Sequence, residues 1–118
     1  MFTAARLLAL REPDPASDAR VSLQSYAVTL KNRCKRNYPT WSDVFAEKVF
    51  RGYCQFIELK IVTEDWDATL LSPSPLIDMM WHQHIFDTNH YGRCCTCDGN
   101  LIHHNPCRTF LLIPTFKN

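Results

Sequence analysis

Residues 73–91, PSPLIDMMWHQHIFDTNHY, decide the architecture of this chain. Ser72-Pro73 and Ser74-Pro75 are each a good helix start, a serine to accept from orphan amides and a proline with its φ already set. Beyond them Leu76, Ile77, Met79, Met80, Trp81, Ile85 and Phe86 put apolar side chains nearly all round the helix. Such a helix packs in the middle of a fold, so a central, buried helix is predicted over 75–91.

Working outward, Phe45, Val49, Tyr53, Phe56 and Lys60 recur on one face and predict a helix over about 41–61. Thr40 is its expected cap, with Asp43 in a capping-box-like position, and Lys60 is expected to keep its ammonium in water above an apolar stem. Val21, Leu23, Tyr26, Ala27 and Leu30 predict an earlier helix to about Lys35, closed by Asn37-Tyr38-Pro39. Residues 1–18 read as an N-terminal segment and linker, REPDPASD supplying Ser17 or Asp18 as a cap, and 19–118 as a single helical domain. After Gly92 the periodicity is lost, leaving an irregular tail with one short strand expected at 110–113. The fold class expected is all-α, a small domain of three to four helices.

A formal net charge of +1 gives no pull toward nucleic acid or an anionic membrane surface. Lys31, Arg33, Lys35 and Arg36 form a basic knot and Glu64, Asp65 and Asp67 an acidic one, both expected to be solvated. No stretch approaches the roughly 20 apolar residues of a membrane helix. The start, MFTAARLLALR, has too brief an apolar run for a secretory signal and is loosely like a mitochondrial transit segment. The expected location is the cytoplasm, with mitochondrial import the alternative, and thiols there stay reduced.

All five histidines fall between residues 82 and 104, partly on a helix that should be buried. Asp78 and His82 are one helical turn apart, so their side chains meet. His84 points about 160° away from His82, so the two histidines of Trp-His-x-His cannot chelate together on a regular helix. His103 and His104 follow in a loop able to fold back on the helix. Imidazole and carboxylate groups from different elements are zinc ligands, and the candidate set is Asp78, His82 and one of His103 and His104. Asp78 is either a ligand itself or the acceptor that orients His82. The metal-free reading has Asp78 fixing the tautomer of His82 and the loop histidines capping carbonyls.

Cys34 and Cys54 fall on helical patterns and read as buried small hydrophobes. Cys94, Cys97, His103 and Cys107 make C-x2-C-x5-H-x3-C, one residue off the histidine position of a zinc knuckle. That site would compete with the histidine site for His103.

The run LSPSPLIDMMWHQHIFDTNHY with a following cysteine and HHNP, together with YCQFIELK, resembles the glycine-rich domain-containing protein-like family over about residues 41–106. The resemblance implies motif positions at Asp78, Trp81, His82, His84, Tyr91, Cys94 or Cys95, His103, His104 and Pro106, without a settled activity. The glycine-rich tail of that family is absent.

The leading expectation is a helical domain that binds a divalent metal, zinc, at Asp78, His82 and His103 or His104. The alternative is a metal-free structural or protein-interaction module, a subunit of a larger assembly whose partner the sequence does not name. No nucleophile motif, phosphate loop or paired carboxylates accompany the histidines, so the sequence leans away from an enzyme.

Overall fold

Two serines open helices by taking backbone amides onto their side-chain oxygens, Ser42 from Phe45 at 3.0 Å and Ser74 from Ile77 at 3.3 Å. The computed structural model describes residues 15–104. Four helices follow in order: α1 (Pro15–Asn37), α2 (Asp43–Val62), α3 (Pro75–Phe86) and α4 (Thr88–Cys94). A hairpin of β1 (Thr96–Cys97) and β2 (Asn100–Leu101) comes after them, antiparallel, with Thr96 opposite Leu101 and Cys97 opposite Asn100. Among the described residues the domain is all-α apart from this hairpin. Its turn is Asp98-Gly99, with φ of 51° and 80°, the left-handed pair that a two-residue hairpin turn requires.

The core forms where α1, α2 and α3 pack against one another. Leu23, Leu30 and Cys34 enter it from α1, and Phe50, Tyr53 and Ile57 from α2. Met80 and Trp81 enter from α3, and Ile102 closes it from beyond the hairpin. A rigid polar chain ties the last three parts together: Trp81 Nε1 donates to the Tyr91 hydroxyl at 2.9 Å, which donates to the Ile102 carbonyl at 2.6 Å.

Several expectations are corrected here. The cap of α2 is Ser42, not Thr40. Ser17 and Asp18 lie within α1 rather than before it, and Val21 is exposed. The central helix is interrupted: Asp87 leaves helical geometry (φ −90°, ψ 77°), ends α3 and caps α4. Only one side of α3 is buried, and Phe86 is 67% exposed.

The largest correction concerns Lys60 and Asp65, expected in water. Both side chains are fully buried, paired at 2.8 Å. Lys60 also donates to the Leu71 carbonyl at 2.9 Å and lies over the Phe56 and Trp81 rings. Asp65 accepts from the amides of Thr69, Leu70 and Leu71 at 2.7, 3.0 and 2.8 Å. The connection between α2 and α3 is therefore wound round a carboxylate, which satisfies the charge that burial would otherwise forbid. Burial alone would raise that carboxyl, but the Lys60 ammonium and the three amides pull it down to about 2.

The basic knot is partly paired as well, Lys31 with Glu47 and Lys35 with Asp43 on α2. Cys34 and Cys54 are buried, as expected. The strand expected at 110–113 and the segment before residue 15 lie outside the described residues.

Candidate metal centre

Trp-His-x-His sends its two histidines to opposite sides of α3. His82 is exposed and His84 is fully buried, as the angle between them requires. Each belongs to a different cluster.

On the outer side Asp78 is the hub. His104 Nε2 lies 2.8 Å from Asp78 Oδ1, and His82 Nε2 lies 3.6 Å from Asp78 Oδ2. The His82 and His104 rings are 4.5 Å apart, and the His104 ring stands edge-on to Trp81. His104 is delivered here because the His103 amide is anchored on the Trp66 carbonyl at 2.8 Å, which leaves the His103 side chain exposed. One ligand atom from each of Asp78, His82 and His104 lies within 4.8 Å of the others. A groove of about 280 Å³, lined by Ile85, Leu101 and His103 among others, touches this cluster at His104.

On the inner side, His84 Nδ1 is 2.6 Å from the Tyr53 hydroxyl and His84 Nε2 is 2.8 Å from His90 Nδ1. His90 Nε2 is 3.4 Å from Ser22 Oγ, and Tyr26 stacks on the His90 ring at 3.8 Å. Burial, with the neighbouring His90, pushes His84 down to about 3, so its imidazole is neutral in the physiological range. Burial also lowers His90. Cys94 completes the cluster, within 4.8 Å of both histidine donors. A hydrogen bond from the Cys95 thiol holds the Cys94 thiol below its ordinary range, against the effect of burial.

The inner cluster exists because of the break at Asp87. His84 and His90, six residues apart, would face different sides of a continuous helix. The Asp87 side chain accepts the His90 amide at 3.2 Å and the Tyr26 hydroxyl, turning α4 back over α3. Reading 75–91 as one helix hid His90. The available signal was Asp87 as a cap and His90 and Cys94 one turn apart beyond it.

Of the knuckle residues, Cys107 lies outside the described residues. Among the described ones, Cys97 and His103 join no group of three ligand atoms. Tyr91 stands edge-on to His84, with ring centroids 5.0 Å apart. Two His/Cys/Asp groups could thus hold a metal ion.

The family described as UCP032817-like matches residues 17–112. The chain belongs to the UCP032817-like family. That overturns the resemblance to glycine-rich domain-containing proteins, which nothing in the match indicates. The residues behind the resemblance are short helix and loop motifs, which constrain local geometry more than descent. UCP032817-like is an uncharacterised family, so membership brings no activity with it. Neither the curated proteins nor the solved structures yielded a match.

Proposed function

We propose that this UCP032817-like domain binds a divalent metal ion, zinc by its donor set, through Asp78, His82 and His104. One observation carries the reading: three donors, two from α3 and one from the segment after the hairpin, have their ligand atoms within 4.8 Å of one another at a partly open surface. Tetrahedral zinc with ligands at about 2.0–2.2 Å needs donors about 3.3–3.5 Å apart. Small rotations of exposed His82 and partly buried His104 cover the difference. Three protein ligands leave one position for water or a small ligand, where the ion would act as a Lewis acid. No reaction is assigned to it.

We propose the cytoplasm as the location of the chain, with mitochondrial import the alternative. Cys34, Cys54, Cys94, Cys95 and Cys97 are free thiols, which suits a reducing compartment. No helix among the described residues is long and apolar enough to cross a membrane.

Elemental analysis of tag-free protein tests the proposal, beside Asp78→Asn and His104→Ala. Zinc in the wild type that falls in both variants, with folding kept by circular dichroism, is the expected result. A folded wild type that takes up no metal when zinc is supplied would overturn it. The Asp78–His104 hydrogen bond would then be a clamp for the segment after the hairpin, in an interaction module with a protein partner.

A further inference from the structure

We propose that His84 Nε2, His90 Nδ1 and Cys94 Sγ form a second, buried site that takes a thiophilic metal ion. Their positions come from three causes already described: α3 presents His84 inward, Asp87 turns the chain, and one turn of α4 puts Cys94 beneath His90. The two imidazole nitrogens face each other at 2.8 Å, and one donor atom from each of His84, His90 and Cys94 lies within 4.8 Å of the others. A zinc ion between them needs the nitrogens about 3.3 Å apart and the sulphur at about 2.3 Å from the metal. That is a widening of roughly half an ångström.

The surroundings match those of ligating histidines, whose outer nitrogen is held by a polar partner. Tyr53 holds His84 Nδ1 at 2.6 Å and Ser22 holds His90 Nε2 at 3.4 Å. Both partners are hydroxyls, which donate or accept and so suit either tautomer. Tyr26, stacked on His90, fixes the ring plane.

An entry path is present. A groove of about 360 Å³ runs between α1 and the hairpin, and Ser22 and Cys94 lie in its wall. Asp18 and Asp98 line the same groove and favour a cation, against the single charge of Arg93. Two imidazoles and a thiolate select zinc or copper(I), whereas the Asp78 set offers no sulphur. Binding releases the thiol proton of Cys94 to solvent as the sulphur–metal bond forms.

Sulphur makes the test independent of the outer cluster. Cobalt(II) added to the reduced protein is expected to give a thiolate charge-transfer band in the near ultraviolet. X-ray absorption of the zinc form is expected to show a sulphur scatterer at about 2.3 Å. The band is expected to survive Asp78→Asn/His82→Ala, which dismantles the outer set, and to vanish in Cys94→Ser. Ser22→Ala, which removes the hydroxyl that touches both His90 and the Cys94 thiol, is expected to weaken binding about 10–100-fold while keeping the band. A wild type without sulphur ligation, or a band that persists in folded Cys94→Ser, would overturn the site. So would a band lost along with the outer set.

Discussion

Tyr53 is buried against α3 with its hydroxyl on a histidine that cannot reach water, so its oxygen contributes beside its ring. Tyr53→Phe keeps the packing and leaves His84 Nδ1 without its partner. The expected loss of stability is about 1–3 kcal/mol, the cost of orphaning a buried polar group. Urea denaturation measures it, and an unchanged midpoint would mean that water reaches His84. Asp65 is the other residue whose surroundings dictate its energetics. Asp65→Ala strands the Lys60 ammonium in the core and is expected to cost about 3–5 kcal/mol. Lys60→Met is expected to cost less, because three backbone amides still hold the carboxylate. The order of the two melting temperatures checks this, and the reverse order would contradict it.

The break between α3 and α4 is the element that organises the inner cluster. Asp87 caps α4 and receives the Tyr26 hydroxyl from α1, so one side chain fixes both the start of a short helix and its docking. The Tyr26 bond also keeps the Asp87 carboxyl below its usual range, with the His90 amide acting the same way. A helix of seven residues has little stability of its own and depends on such contacts. Asp87→Ala is expected to cost about 1 kcal/mol for the lost cap. Hydrogen exchange is the sharper measurement: α4 amides are expected to exchange faster while α1 and α2 keep their protection. Equal acceleration everywhere would show that the break is not a local device.

Across the whole molecule, burial of a neutral histidine links stability to pH. The His84 value of about 3 lies below the ordinary 6.5. Between those two values the unfolded chain carries a proton that the folded chain refuses, so stability rises with pH through that window. The contribution is complete above about pH 6.5 and is lost as pH falls toward 3. The Asp65 contribution has its own window, being lost only as pH falls from about 3.9 toward 2. Urea midpoints measured in the presence of a chelator are expected to decline first below about pH 6.5 and again below about pH 4. A flat profile between pH 5 and 7 would contradict the buried neutral imidazole.

The sequence alone determined the first two helices, since the spacing of apolar side chains is a local property, and it determined the Ser74-Pro75 start of the third. It also placed Asp78 beside His82 and His84 on the far side of the same helix, because helical geometry leaves no other arrangement. Asp98-Gly99 carries a hairpin turn that is legible from its two residue types, although no apolar periodicity flanks it. Tertiary structure decided the rest. Asp87 favours a helix cap without dictating one, and Tyr26, 61 residues earlier, holds its carboxylate at the break. Lys60 and Asp65 are charged residues that local pattern assigns to water, and only the amides of the next loop make their burial tolerable. His104 rather than His103 meets Asp78 because Trp66 anchors the preceding backbone. Which donors converge depends on contacts distant in sequence, and such contacts leave no periodic trace.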